Sequence, residues 1–342
     1  MRIAFFDAKE YDIDFFNRAN EEFGFELRFF ADRLECSNAD MAAGFDAVCC
    51  FVNDRISAGA LECIKEKGIR LLLLRCAGVN NVDLAAAEKL GICVMNVPEY
   101  SSQGVAEHTL ALILALNRKI HKAYLRTKEY NFSLKGLLGF NMAGKTAGII
   151  GLGRIGKAVA GLLKAFSCRI IAHDIYADPN YAREQGIELV SLDELYAQSD
   201  IITLHCPLTD ENRHLNKDSI SKMKKGVMLI NISRGGLVDT QALIDGLKSR
   251  VISSVGLDVY EEEENYFYED FTDSILGDDT LLELLALPNV LVTSHQAYFT
   301  VEALDAIANT TLQNAADFIS GGELKNKVDG LWEIFWTGGL TN

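Results

Sequence analysis

Three ionisable residues in the second half of the chain each follow a different apolar run. Arg234 closes Val227-Met-Leu-Ile-Asn-Ile-Ser, Glu263 comes shortly after Gly256-Leu-Asp-Val-Tyr260, and His295 follows Asn289-Val-Leu-Val-Thr-Ser294. An imidazole titrates near neutrality and can give or take a proton at working pH. A carboxylate on its other ring nitrogen would favour the imidazolium and fix the ring's orientation. A guanidinium offers a planar fork that can grip a carboxylate and polarise a neighbouring carbonyl. Reduction of a 2-oxo acid needs all three, because a hydride arriving at the carbonyl carbon leaves charge on oxygen that a proton must quench. Taken singly, Glu263 lies in the run Glu261–Glu264, which reads as a solvated face, and His295 reads as a core histidine. Their shared placement after apolar runs favours the chemical reading.

A hydride donor is implied by Gly151-Leu152-Gly153-Arg154-Ile155-Gly156, which follows the apolar run Ala147–Ile150 and opens a helical pattern over 154–166. In that context Gly151 permits the tight turn, Gly153 lets the backbone approach a pyrophosphate, and Gly156 lets helix and strand pack closely. The helix N-terminus then offers N–H groups and a positive dipole end to the phosphates. Asp174 ends the next apolar run, near the spacing at which an acidic residue accepts the ribose hydroxyls of NAD and repels the extra phosphate of NADP.

The elements that must position these residues alternate short apolar runs with longer amphipathic ones, the pattern of α/β architecture with parallel sheets. Strands are predicted at 3–6, 47–51, 70–75 and 93–97, and a second series at 147–150, 169–174, 201–205, 227–232, 253–258 and 290–293. The second series has the six strands of a doubly wound dinucleotide domain, which places Arg234, Glu263 and His295 at its carboxyl edge. A buried helix is predicted over 105–116. A last helix over 301–319 follows the second series, so it is expected to return to the first domain and make that domain discontinuous. The four prolines (98, 179, 207 and 288) fall at strand ends or turns, and the tail after Val328, with Trp332 and Trp336, reads as peripheral.

Composition narrows the class further. With 342 residues the chain is long enough for two domains, each with its own core. Its formal net charge of −15 argues against nucleic-acid binding, which needs clustered Lys and Arg. No apolar stretch approaches a membrane span, and the N-terminus turns polar too soon for a signal peptide. The eight cysteines show no metal-ligand spacing, so no metal is expected. They read as reduced, buried thiols of a cytoplasmic protein.

With these residues in place, the chain resembles the D-isomer-specific 2-hydroxyacid dehydrogenases from Met1 to about Val328. The resemblance is carried by Arg75-Cys-Ala-Gly-Val-Asn-Asn-Val-Asp83, Val105-Ala-Glu-His-Thr109, the glycine loop, and His205-Cys-Pro-Leu-Thr209. It continues in Asn231-Ile-Ser-Arg-Gly-Gly236, Gly256-Leu-Asp-Val-Tyr-Glu-x-Glu263 and Ser294-His-Gln-Ala297. It implies Arg234, Glu263 and His295 as the catalytic set. It also implies substrate contacts from the backbone of Ala77, Gly78 and Val79 and from Tyr100 and Tyr298. Contacts to NAD are implied for Gly151, Gly153, Arg154, Ile155, Gly156, Asp174, His205, Cys206, Pro207, Ile232, Ser233 and Asp258.

The implied fold is two Rossmann/flavodoxin-like doubly wound parallel-sheet domains with a cleft between them. A substrate domain would comprise 1–100 and 300–342, an NAD-binding domain 101–299, and the cleft would close about hinges near 100 and 299. The acidic-aromatic insert Glu261–Asp279, with Tyr266-Phe267-Tyr268, points to the lactate-forming branch, hence reversible reduction of pyruvate to D-lactate by NADH. The alternatives are a bulkier 2-oxo acid (phenylpyruvate or a branched-chain acid), or a non-enzymatic NAD-sensing protein of the corepressor type. A homodimer or tetramer is the family expectation. The family does not predict the tail after Val328.

Overall fold

The computed structural model describes residues 1–209 and 215–328; Trp332 and Trp336 of the tail lie outside the described residues. The chain divides into two compact units, one formed by Met1–Ser101 with the segment from Phe299 onward, the other by Ser102–Tyr298.

In the first unit, five parallel strands are found among the described residues: β1 (Arg2–Phe5), β2 (Glu26–Phe29), β3 (Ala47–Cys50), β4 (Leu71–Leu74) and β5 (Cys93–Met95). They lie side by side in the order β2-β1-β3-β4-β5, the flavodoxin-like winding. The interior strands are unbroken apolar runs because helices cover both faces of a parallel sheet; all four leucines of β4 are fully buried. Strand β2 is absent from the sequence-based expectation. It is an edge strand whose Glu-Leu-Arg-Phe alternation leaves every second residue exposed, so no apolar run marks it. The helix Val301–Ser320, capped by the Thr300 hydroxyl on the Ala303 N–H, packs against the helix Glu10–Phe23 and β4.

In the second unit the described residues form seven parallel strands. They are β6 (Thr146–Ile150), β7 (Arg169–His173), β8 (Glu188–Leu189), β9 (Ile201–Leu204), β10 (Val227–Asn231), β11 (Ile252–Leu257) and β12 (Val290–Val292). The order is β12-β11-β10-β9-β6-β7-β8, a doubly wound sheet with one strand more than expected. The extra strand, β8, is two exposed residues at the edge, too short for any periodicity to reveal. The winding reverses between β6 and β9, and in such sheets ligands bind beyond the carboxyl ends at that reversal.

The expected buried helix over 105–116 lies within Ser102–Arg118. Its buried face includes Val105, Thr109, Leu112, Ile113 and Leu116. It covers β11 so closely that a methyl group at Gly256 would lie 3.1 Å from Leu116 and 3.3 Å from Leu112.

The cysteine reading needs correction. Cys36 and Cys63 form a disulfide between a 3-10 turn and the helix Ala58–Glu66, with Cα atoms 5.4 Å apart. Cys93 and Cys206 are only partly buried; Cys49, Cys50, Cys76 and Cys168 are buried thiols as expected. No spacing rule links two cysteines that meet only because a helix packs against a distant turn.

Candidate active site

The glycine loop lies at the winding reversal of the second unit. Gly151 follows β6 with φ +92°, and a methyl group there would lie 2.6 Å from the His205 carbonyl carbon in the loop after β9. Gly156 sits in the first turn of the helix Arg154–Ala165, where a methyl group would overlap the Gly151 carbonyl oxygen. Both positions exclude a side chain by contact. The helix begins at Gly153, which has an extended backbone and no side-chain cap, so the positive end of the helix dipole lies at the glycine loop.

Asp174 stands just past β7. Its carboxylate accepts the Leu152 N–H at 2.6 Å and the Tyr176 N–H at 2.7 Å, which ties the glycine loop to the acidic residue expected at the ribose. Among the described residues, neither buried ring nitrogen of His205 has a hydrogen-bond partner, and burial lowers its pKa to about 3. A neutral imidazole left unsatisfied beside a glycine cradle, a helix N-terminus and a carboxylate at ribose spacing fits a dinucleotide that brings its own polar groups.

The loops after β9 to β12 are stitched together at the same sheet edge. Asn231, Leu257 and Val292 end β10, β11 and β12, and neighbouring ends are aligned in register, Asn231 with Leu257 and Leu257 with Val292. Arg234, Glu263 and His295 follow these ends. The Ser233 hydroxyl donates to the Cys206 carbonyl at 2.6 Å, joining the loops after β10 and β9. Gly235 abuts the Tyr260 carbonyl so tightly that no Cβ fits, which joins the loops after β10 and β11.

Within this edge the structure brings Glu263 and His295 into direct contact. Glu263 Oε1 lies 2.8 Å from His295 Nδ1, each side chain about one-fifth exposed, and Glu263 Oε2 accepts the Tyr260 N–H at 2.9 Å. With Nδ1 held by the carboxylate, Nε2 is the ring nitrogen left to face a substrate. Arg234 donates from Nη1 to the neighbouring Ser233 carbonyl at 2.8 Å, while its own carbonyl accepts from Asn231.

His295 has φ +50°, a left-handed conformation, and Asp258 supports the loop that imposes it. The Asp258 carbonyl accepts the His295 N–H at 2.8 Å. Its buried carboxylate accepts the Gln296 and Ala297 N–H groups at 2.9 and 2.8 Å and the Thr293 hydroxyl at 2.5 Å. Thr293 spends its only proton on Asp258, so His108 Nε2, 3.1 Å from the Thr293 hydroxyl, must be the donor in that contact. The sequence points to Asp258 only as a cofactor contact and gives His108 and Thr293 no role. The motif containing His108 is visible there, but its partner Thr293 is 185 positions away.

The expected substrate residues divide between the units: Ala77, Gly78, Val79 and Tyr100 belong to the first and Tyr298 to the second. In the first unit, Asn96 donates to the Ala77 carbonyl at 2.8 Å. Its own carbonyl accepts from Asn314, which in turn accepts from Asn326. Arg75, which opens the loop, is fully buried. Its guanidinium donates to the Phe6 and Asp7 carbonyls and lies 3.3 Å from Asp12. The remaining expected cofactor residues keep to the same edge of the second unit: Arg154 is exposed, Ile155, Cys206, Pro207 and Ser233 are partly buried, and Ile232 is buried. Among the described residues no cluster could hold a metal ion, and no helix is long and apolar enough to cross a membrane.

Comparison with known proteins decides the family. Residues 110–297 match the family described as D-isomer specific 2-hydroxyacid dehydrogenase, NAD binding domain. The chain belongs to the D-isomer-specific 2-hydroxyacid dehydrogenases. Among members of that family it is 48% identical to the D-lactate dehydrogenase of Escherichia coli K12 over 329 residues, covering 96% of this chain and all of that one. The solved apo-structure of D-lactate dehydrogenase from Escherichia coli superposes with a TM-score of 0.89 at 47% identity, covering 96% of this chain and all of that one. The pyruvate reductase of Chlamydomonas reinhardtii gives 0.90 at 44% identity, covering 95% and 98%. The NAD cofactor and the two parallel-sheet α/β domains read from the sequence are those of this dehydrogenase family.

Proposed function

We propose that this chain is an NAD-dependent D-lactate dehydrogenase that reversibly reduces pyruvate. The observation that carries the proposal is the Glu263–His295 pair, 2.8 Å apart at the carboxyl edge of a sheet whose winding reverses at a glycine loop. Bound NADH supplies the hydride. His295, with Nδ1 held by Glu263, presents Nε2 as the general acid that protonates the carbonyl oxygen, and in the reverse direction as the base that removes the hydroxyl proton. Arg234 has guanidinium N–H groups beyond the one given to Ser233, and these would grip the carboxylate and polarise the carbonyl. By the family resemblance we assign substrate contacts to the backbone N–H groups of Ala77, Gly78 and Val79 and to Tyr100 and Tyr298. The residues 1–100 and 300–342 would then be the substrate domain and 101–299 the NAD-binding domain.

The choice of pyruvate over other oxo acids is supported by the relatives named above, a D-lactate dehydrogenase and a pyruvate reductase, each aligned along nearly its whole length. We place the enzyme in the cytoplasm as a homodimer or tetramer. The oligomer reading draws on a run of exposed apolar side chains, Tyr124, Leu125, Tyr130, Phe132 and Leu138, on the second unit. The deciding experiment follows NADH oxidation with pyruvate, phenylpyruvate, oxaloacetate and glyoxylate, with chiral analysis of the product. Pyruvate is expected to have the highest kcat/KM and to give D-lactate. L-lactate as product would refute the stereochemistry, a preference for phenylpyruvate would move the substrate to bulkier acids, and no turnover of any oxo acid would make the chain a binding protein.

A further inference from the structure

Two non-glycine residues of the second unit share an unfavourable backbone and touch each other. His295 has φ +50° and Tyr268 has φ +70°. Left-handed backbone is uncommon for any side chain and strained for one as bulky as tyrosine, and it persists only where neighbours over-determine it. The Tyr268 hydroxyl donates to the His295 main-chain carbonyl at 2.9 Å. Its ring lies nearly parallel to the imidazole, with centroids 6.2 Å apart and planes 30° from each other. On the other side of the same peptide group, the Gln296 N–H is held by the Asp258 carboxylate. Both polar ends of the His295–Gln296 peptide are therefore fixed.

The segment that delivers Tyr268 is anchored by Glu263 itself. The Glu263 carbonyl accepts the Tyr266 and Phe267 N–H groups at 3.0 and 2.8 Å, and Phe267 is buried in the core of the unit. One short stretch thus holds the imidazole twice, by the Glu263 carboxylate on Nδ1 and by Tyr268 on the backbone and ring face. We propose that Tyr268 is a positioning residue for His295: it sets the backbone conformation and ring orientation that keep Nδ1 on Glu263 and Nε2 toward the substrate, without itself touching substrate. The inference rests on His295 being the proton donor.

Tyr268→Phe removes the hydroxyl and keeps the ring; Tyr268→Leu removes both. In the pyruvate reductase assay, Tyr268→Phe is expected to lower kcat about threefold to tenfold, the range of one lost hydrogen bond. NADH affinity should stay at the wild-type value, and Tm should fall by no more than about 2–4 °C, the share of one hydrogen bond. The solvent deuterium isotope effect on kcat should rise as proton transfer becomes slower, and Tyr268→Leu should exceed Tyr268→Phe in both respects. Wild-type kcat and isotope effect in Tyr268→Phe would overturn the inference. So would a kcat loss that tracks a falling Tm with the isotope effect unchanged. His295→Gln serves as the separate control: if it retains wild-type turnover, the reading of the site fails and this inference with it. A His295-dependent reaction indifferent to Tyr268 defeats the inference alone.

Discussion

His205 and His295 share a sheet edge and have opposite surroundings. His295 is paired with Glu263 and partly exposed, whereas the His205 ring nitrogens are buried without partners among the described residues and its pKa is lowered to about 3 by desolvation. An unfolded histidine titrates near 6.5, so between about 6.5 and 3 the unfolded chain binds the extra proton and the folded one does not. The stabilising contribution of a neutral His205 is present above pH 6.5 and is lost as pH falls through that window. The apo-protein's Tm is therefore expected to decline more steeply between pH 7 and pH 5 than that of His205→Asn, and parallel melting curves would refute this. His295→Gln, by contrast, should leave stability near wild type and lower kcat by about 10²–10⁴, the general-acid range; an effect on NADH affinity alone would contradict the role.

Among the secondary-structure elements, the helix Arg154–Ala165 and the loop before it carry four glycines, and at three of them the same substitution has different expected outcomes. Gly156 has no room for a Cβ against the Gly151 carbonyl, so Gly156→Ala must push the helix off β6 and is expected to lower Tm and weaken NADH binding at least tenfold. Gly151 adds a positive φ to its close approach, so alanine there is strained twice over. Gly161 lies inside the helix, exposed, and a methyl group added there would meet nothing within 4 Å. Gly161→Ala is expected to stabilise the unit by about 0.5–1 kcal/mol through helix propensity. Denaturant unfolding of Gly156→Ala and Gly161→Ala checks the contrast; equal effects would mean that the loop is looser than its contacts imply.

Across the molecule's surface, the exposed apolar run on the helix Ile120–Lys128 and the residues beyond it is the feature most at odds with a solitary chain. Tyr130, Phe132 and Leu138 are 86%, 73% and 89% exposed, and clustered apolar exposure of this kind marks interaction surfaces. Light scattering is expected to give a mass of two or four chains, and the paired change Leu125→Asp with Phe132→Asp to reduce it. A monomeric wild type would remove the oligomer from the proposal. The Cys36–Cys63 disulfide also bears on the compartment, because reducing cytosol keeps most cysteine pairs as thiols. Alkylation followed by mass measurement on protein extracted under acid quench would report which form the cell maintains.

The interior strands of both sheets, the glycine loop, Asp174 and the candidate trio are all legible in the sequence. These are local signals: an apolar run long enough for a strand, a turn only glycine can make, a charged residue just past a strand end. The edge strands β2 and β8 are invisible there because half-exposed or two-residue strands leave no periodicity. It takes the folded chain to show that Glu263, and not its neighbours in a run of four glutamates, reaches the imidazole. The same holds for the pairing of Cys36 with Cys63, the placing of His108 and Thr293 behind Asp258, and the bond from Tyr268 to the carbonyl of His295. Each of those contacts joins residues from separate loops or elements, and their distances are fixed by sheet order and loop packing, which no stretch of sequence states on its own.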